Sequence, residues 1–301
     1  MRMKKLKKIL LALVAIAACI VYIADELQIT LSDITGEAPA AQTKTVSQAK
    51  TAAQTKTASQ AKSAAPAALE IPVLQKDVPS QILEYTGHTL SYNNQTRLPN
   101  WVAYELTDTE VKGENPRKDK FARDPQAKGA QGSKEDYRNS GWDRGHMAPA
   151  GDMKWDTKAM DETYYFTNIC PQNHELNNGD WKELEEKCRD WAEKYGSVYI
   201  VCGPIITENV HGLLGENNIV IPDKFFKAVI VKKNGEYLGA GFLYTNYPKR
   251  TSKISTKPGP DRPLESYMVT IDELEAATGM DFFPKLPDAI ETAVEKQSTM
   301  F

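Results

Sequence analysis

One histidine stands in an unusual local sequence. His146 ends the run GWDRGH at residues 141–146, where a charged pair and a glycine directly precede the imidazole. The chain has only four histidines. A neutral imidazole, whose reference pKa is about 6.5, is suited to remove a proton from water near neutral pH. A single histidine is more often a surface or core side chain, so His146 taken alone is only a candidate general base.

Asn177 and Glu185 form a second candidate set. Asn177 lies in LNNGDW at residues 176–181, and Glu185 follows eight residues later. If a helix begins near Asn177, eight residues turn through about 800°, which is two turns plus about 80°, so both side chains can share a side. An amide oxygen is a hard ligand for magnesium, and a carboxylate can hold the waters that the ion keeps. Asn177 fits a helix N-cap equally well.

Helices and strands that would position these residues can be read from the pattern. Apolar residues at spacings of three and four predict a helix over residues 181–195. A capping box formed by Thr270 and Glu273, with Gly279 as the stop, predicts another helix. Strands are predicted at residues 101–106, 164–169, 198–202, 225–231 and 237–244, the last two joined by the hairpin-turn pair Asn234-Gly235. Regular βαβ alternation is missing from this pattern, so we expect an α+β fold, with residues 78–301 as one domain.

Three motifs in order carry a family resemblance. They are DRGH at residues 143–146, TNICPQ at residues 167–172, and the run from LN at residues 176–177 to LE at residues 184–185. With framework segments between residues 80 and 285, they resemble the sugar-non-specific DNA/RNA endonuclease family, which includes mitochondrial endonuclease G. The resemblance implies a ββα-metal (His-Me) finger inside a domain with a central antiparallel sheet.

The same resemblance implies roles for individual residues. It makes His146 the general base, Asn177 the one direct protein ligand of a hydrated magnesium, and Glu185 the carboxylate that orients metal-bound water. Asn168 matches an asparagine that supports the site. We therefore expect His146 and Asn177 to converge on one scissile phosphodiester.

Basic residues concentrate before the DRGH run. Residues 117–144 hold eight cations and five acids, a local charge of +3 in a chain of net charge −3. Such a patch would attract a phosphate backbone. The upstream arginine of the family falls on Arg117, and Arg123 is the second choice for a residue that clamps phosphate. Arg144 is a further candidate for substrate binding, with a bracing pair to Asp143 as the alternative.

These residues predict a metal-dependent endonuclease that acts on DNA and RNA. Mg²⁺ is the expected ion, with Mn²⁺ as an alternative. Attack by water needs no 2′ hydroxyl, which explains indifference to the sugar, and the resemblance implies 5′-phosphate ends. The sequence has no helix-turn-helix, zinc finger or RNA-recognition motif, so we expect little base specificity. Two alternatives stay open: a catalytically silent, surface-tethered polyanion-binding protein, and a phosphodiesterase for small nucleotides.

Length and composition set the broad class. The chain has 301 residues, of which 41% are hydrophobic, so a fully disordered or fibrous protein is excluded. Its net charge of −3 excludes a protein that coats nucleic acid generally, because such binding needs a cationic excess. Four cysteines make neither a disulfide scaffold nor a CxxC zinc site.

The N-terminal residues predict export. Residues 1–8 are strongly basic and residues 9–24 are uncharged, a pattern typical of a signal peptide or membrane anchor over residues 1–25, with lipidation at Cys19 as a third interpretation. Residues 26–77, which contain a 12-residue repeat of small and polar residues, predict a disordered low-complexity tether. We therefore expect a periplasmic, envelope-tethered or secreted protein rather than a mitochondrial one. An uncleaved segment would add the membrane as a partner, and a homodimer is compatible with the sequence.

Overall fold

The described part of the chain is one compact unit. The structure, a computed structural model, describes residues 68–207, 211–246, 262–298 and 300–301, which belong to the unit Ser63–Phe301. The predicted signal or anchor of residues 1–25 and the tether as far as residue 67 lie outside the described residues. Among the helices that are described, none is long and apolar enough to cross a membrane.

Strands dominate the described residues. Thirteen of them are formed there: β1 (Val73–Leu74), β2 (Gln81–Glu84), β3 (Thr89–Asn93), β4 (Leu98–Thr107), β5 (Asp143–His146), β6 (Ile169–Gln172), β7 (Ser197–Ile205), β8 (Leu213–Leu214), β9 (Ile219–Val220), β10 (Lys224–Lys233), β11 (Glu236–Thr245), β12 (Met268–Val269) and β13 (Met280–Asp281).

The helices of the described ranges are short, with one exception. They are α1 (Lys134–Tyr137), α2 (Thr157–Thr163), α3 (His174–Asn178), α4 (Asp180–Tyr195), α5 (Ile271–Thr278) and α6 (Asp288–Glu295). Two 3₁₀-helices, Phe166–Asn168 and Leu264–Tyr267, complete the set. At 16 residues, α4 is the longest helix of the described ranges.

A seven-stranded antiparallel sheet forms the centre, in the order β12-β11-β10-β7-β4-β3-β2. Alternate residues of a strand point to opposite faces. Accordingly, Cys202 of β7 packs in one hydrophobic core and its neighbour Val201 in another. The predicted α+β class with a central antiparallel sheet is confirmed.

Each face of the sheet is covered. The apolar stripe of α4, which includes Trp181, Leu184 and Cys188, packs in the core on one face. Residues of α5 and α6 belong to the core on the other face. Leu69 is fully buried and β1 pairs with β13, so packed structure begins before residue 78, where the domain was expected to start.

Several local predictions are confirmed. Residues 181–195 are helical within α4, and β10 and β11 form the predicted hairpin. Its turn residues Asn234 and Gly235 have φ angles of 52° and 92°, which a two-residue hairpin turn requires. The capping box at Thr270 is present, and Gly279 ends α5 in the left-handed conformation.

The predicted strand at residues 164–169 is wrong for most of its length. Residues Phe166–Asn168 form a 3₁₀-helix, and only Ile169 belongs to a strand. The backbone amide of Tyr165 bonds back to the carbonyl of Glu162, and the amide of Phe166 bonds to Ala122. The aromatic residues had suggested a strand, but the turn bond uses the Tyr165 donor, and the contact with Ala122 is only an isolated parallel bridge.

Candidate active site

Two short strands and a helix form the framework of the site. β5 pairs antiparallel with β6, with His146 opposite Ile169. α3 follows β6 directly, and Asn173 caps it by accepting from the amides of its first residues. Gly145 is needed in β5 because a Cβ there would overlap the Gln172 amide. This unit corresponds to the expected ββα finger.

His146 lies at the end of β5 in a largely apolar environment. Its ring is 5.3 Å from that of Phe121 and meets the ring of Tyr164 edge-on at 5.1 Å. Burial, with added repulsion from Arg117 and Arg144, lowers the pKa of His146 to about 3. The imidazole is therefore neutral at pH 7. Its Nε2 has no hydrogen-bond partner among the described residues.

Asn168 holds the chain that follows His146. The side chain is fully buried. Its Oδ1 accepts from the amide of Ala148 at 2.9 Å, and its Nδ2 donates to the carbonyls of Ala148 at 2.9 Å and Thr163 at 2.8 Å. All these bonds lie within the protein, so the geometry makes Asn168 a positioning residue rather than one that reaches substrate.

Asn177 lies in α3 and caps neither helix. The expected continuous helix from Asn177 to Glu185 is wrong, since Gly179, with φ −113° and ψ −108°, separates α3 from α4. The N-cap alternative fails as well, because Asn173 caps α3 and Gly179 precedes α4. Asn177 Nδ2 donates to Asp143 Oδ2 at 2.9 Å. Because the amide nitrogen is used in this bond, the amide oxygen of Asn177 is the atom available to bind a cation.

Asp143 is tied to α3 and not to its neighbour in sequence. Besides Asn177, it contacts His174 Nδ1 at 2.9 Å. Arg144 instead places its guanidinium carbon 4.1 Å from the centroid of the Phe121 ring. The alternative in which Arg144 braces the motif by pairing with Asp143 is therefore wrong.

Glu185 is half-buried and lies about one and a half turns from the start of α4. Burial raises the pKa of its carboxyl to about 7, and the positive charges of Lys227, Arg189 and Arg117 oppose that effect. Glu185 does not line the pocket next to Asn177. Its influence there would therefore pass through intervening groups, such as water.

The two candidate arginines have different surroundings. Arg117 lines the pocket, and its Nε donates to Asp119 at 3.2 Å and to the Tyr164 hydroxyl at 3.0 Å. Its charge acts on both His146 and Glu185. Arg123 is exposed and does not line that pocket. The structure thus brings Arg117 to the site and leaves the second choice, Arg123, outside it.

A pocket of about 500 Å³ lies beside Arg117, Asp143, Arg144 and Asn177. His146 does not line it, but its ring contacts that of Phe121, which does. Four cations and two acids line it, together with aromatic side chains and Asn177: Arg117, Asp119, Phe121, Lys134, Tyr137, Arg138, Trp142, Asp143 and Arg144. Sequence reasoning did not single out Lys134, Arg138 or Trp142. Lys134 and Arg138 were counted in the basic segment. Their spacing in the sequence does not show that α1 and its C-cap place them in the same pocket as Asp143 and Arg144.

The donor set fits a hydrated magnesium ion. Asn177 offers one amide oxygen at the pocket wall, and Asp143 fixes the amide nitrogen. Magnesium keeps several waters and often takes only one or two protein oxygens. No cysteine or histidine shares this wall, which disfavours a soft transition metal.

The sequence matches a known family over most of its length. Residues 65–289 match the family described as DNA/RNA non-specific endonuclease. The chain belongs to this family. Members of this endonuclease family are metal-dependent nucleases.

Individual relatives agree with that membership. The mitochondrial nuclease EXOG of Danio rerio is 38% identical over 216 residues, 67% of this chain and 60% of the relative. Human mitochondrial endonuclease G is 30% identical over 219 residues, 69% of this chain and 71% of the relative. The chain thus spans only about three fifths of the EXOG relatives it matches.

A solved structure shows the same endonuclease fold. The chain is similar to one in the crystal structure of the EndoG/EndoGI complex, which describes how EndoG is inhibited. The two superpose with a TM-score of 0.62 at 26% sequence identity. The match covers 70% of this chain and 90% of that one.

The expected extracytoplasmic location is wrong. EXOG, endonuclease G and a Saccharomyces cerevisiae relative are all named as mitochondrial nucleases. The prediction rested on a basic segment followed by an apolar one. Such a segment indicates engagement with a membrane, but its charge and length do not specify which membrane.

Proposed function

We propose that the protein is a magnesium-dependent endonuclease that hydrolyses phosphodiester bonds of DNA and RNA and leaves 5′-phosphate ends. The observation that carries the proposal is the position of His146, a buried neutral imidazole whose ring contacts Phe121 in the lining of a cationic pocket that Asn177 also lines. Family membership supports the reaction class.

His146 is the general base in this proposal. The low pKa keeps the imidazole unprotonated, so it can accept a proton from the water that attacks phosphorus. An imidazole with a pKa of about 3 is a weak base. A bound phosphodiester places negative charge nearby, which raises that pKa toward the working range and strengthens the base when substrate is present.

Asn177 and Glu185 serve the leaving-group side. Asn177 Oδ1 would hold the magnesium ion, and Glu185 would accept hydrogen bonds from its waters. A bound ion would supply Lewis-acid stabilisation of the charge that develops on the leaving 3′ oxygen. Asp143 keeps the Asn177 amide in the orientation that presents its oxygen.

The pocket cations hold the backbone of the substrate. Arg117, Lys134, Arg138 and Arg144 line a space that suits phosphate oxygens. No step uses the 2′ hydroxyl, so DNA and RNA are both cleaved. Phosphate contacts carry no base information, which agrees with weak sequence preference.

A digestion assay tests the proposal. Purified protein with magnesium should degrade plasmid DNA and RNA, and EDTA should stop both reactions. His146→Ala should lower the rate by about 10²–10⁴-fold, the usual contribution of a general base, while binding to DNA persists. His88→Phe is the matched control, because His88 is also buried but stacks on Tyr85, which does not line the pocket.

Three outcomes would contradict the proposal. Undiminished cleavage by His146→Ala would exclude His146 as the base. Binding of DNA by wild type without cleavage would favour a silent polyanion-binding protein. Hydrolysis of dinucleotides but not of long DNA would favour a small-nucleotide phosphodiesterase.

A further inference from the structure

Lys227 is a fully buried cation in the middle of the sheet. It lies on β10, opposite Cys202 of β7 and Phe242 of β11. Its Nζ is 4.5 Å from the centroid of the Trp181 ring and has no hydrogen-bond partner among the described residues. Burying an ammonium group is costly unless an anion compensates it. The surroundings of Lys227 should therefore contain that anion.

Four groups with a potential negative charge act on Lys227: Cys202, Cys188, Glu185 and Asp152. Both cysteines are free thiols. Burial raises the pKa of Cys188 to about 12 and that of Cys202 to about 11, so neither is a thiolate at neutral pH. The two carboxyl groups are left as sources of negative charge.

Asp152 already has its own partners. Its Oδ1 accepts from Arg189 at 2.7 Å, and its Oδ2 accepts from the Tyr104 hydroxyl at 2.8 Å. Glu185 makes no hydrogen bond or ion pair with another described residue. Lys227 on β10 and Glu185 on α4 thus carry opposite charges, and neither has a hydrogen-bond or ion-pair partner among the described residues.

Helix geometry places these groups together. Trp181, Glu185 and Arg189 recur every four residues along α4, so they occupy successive turns on one side of the helix. The ring that covers the Lys227 ammonium is therefore one turn from the Glu185 carboxylate. Among the charges that act on Glu185, that of Lys227 is the strongest, ahead of Asp152, Arg189 and Arg117.

We propose that Lys227 is a positioning residue of the reaction, the buried counter-charge beneath α4 that favours the anionic form of the Glu185 carboxylate. It touches neither substrate nor ion. This inference rests on the proposed function in one respect: there, Glu185 accepts hydrogen bonds from water bound to the ion. A protonated Glu185 would lose one of the two oxygens that can accept such a bond.

The decisive measurement does not depend on activity. NMR follows the carboxyl ¹³C chemical shift of Glu185 as a function of pH in the full chain, with EDTA present to remove divalent ions. The signal is assigned by its loss in Glu185→Gln. Lys227→Met keeps the aliphatic stem against Trp181 and removes the charge, so it should raise the Glu185 midpoint by about 1–3 pH units. Lys227→Arg should leave the midpoint in place. A folded Lys227→Met protein with an unchanged midpoint would overturn the proposal.

A second measurement applies if Lys227→Met does not fold. Coupling between two sites is reciprocal. Glu185→Gln should therefore lower the Lys227 midpoint, read from its ¹³Cε shift, whereas Glu186→Gln, an exposed change on the same helix, should not. Equal Lys227 midpoints in the two variants would exclude the pairing.

Activity then separates the two proposals. In an active nuclease, the acidic limb of the pH–rate profile should move upward in Lys227→Met and stay in place in Lys227→Arg. A shifted Glu185 midpoint in a protein that cleaves no nucleic acid would overturn the proposed function alone. Normal cleavage with an unmoved midpoint would overturn the role of Lys227 alone.

Discussion

The amide nitrogen of Asn177 donates to the Asp143 carboxylate at 2.9 Å and so joins α3 to β5. Asp143 begins the strand that ends in His146. The bond therefore links the strand that carries the candidate base with the helix that carries the candidate metal ligand. It also fixes which atom of the amide is available to an ion.

Removing this bond should weaken metal binding more than folding. In Asp143→Ala the Asn177 amide can rotate, so we expect the magnesium concentration for half-maximal activity to rise by about 10–100-fold, as when other partners of metal ligands are removed. Titration of activity with magnesium measures this. His174→Ala, which removes the exposed second partner of Asp143, should have a much smaller effect. Equal magnesium dependence in wild type and Asp143→Ala would contradict the role of the bond.

The two arginines should differ in importance. Arg117 lines the pocket, whereas Arg123 is exposed outside it. A hydrogen bond to a charged group contributes about 1.5–3 kcal/mol, so Arg117→Ala should lower kcat/KM by about tenfold or more. Arg123→Ala should stay near wild type. If Arg123→Ala proved the more damaging of the two, the assignment of the phosphate clamp would be reversed.

Asn168→Ala should destabilise the fold and reduce activity through His146. The change leaves one amide and two carbonyls of buried backbone without their partner. Each unsatisfied group costs about 1–3 kcal/mol, so the free energy of unfolding should fall by about 3 kcal/mol or more. Urea denaturation measures the loss. A change below about 0.5 kcal/mol, typical of a surface substitution, would show that the three bonds do not stabilise the domain.

Acid should destabilise the domain through its buried histidines. His88 stacks on Tyr85 with ring centroids 4.7 Å apart, and burial lowers its pKa to about 3. The unfolded chain, with a histidine pKa of about 6.5, binds more protons below that pH, so stability falls from about pH 6.5 toward pH 3 and is unaffected above. His88→Phe keeps the ring contact and should lose less stability between pH 8 and pH 5.

Urea denaturation at the two pH values checks this expectation. Ile82→Ala is the control because Ile82 is exposed and carries no titratable group, so its loss of stability on acidification should equal that of wild type. An equal loss in His88→Phe would mean that His88 is already protonated or solvated in the folded protein.

The sequence by itself determined the elements whose signals are local. The stripe of α4, the Asn234-Gly235 turn and the capping box at Thr270 each depend on residues within a few turns of one another, and the structure has all three. The DRGH run likewise indicated the family before any coordinates. Such features follow from helix and strand periodicity, which a single segment already expresses.

Tertiary structure decided which side chains meet. Tyr165 meets the distant Ala122 only in an isolated bridge, and Gly179 breaks the helix expected to join Asn177 and Glu185. The sequence did not show that Asp143 pairs with α3, or that Lys227 lies beneath α4. Contacts of this kind join residues far apart in the chain. Their energy depends on burial and distance in three dimensions, which spacing along one segment does not encode.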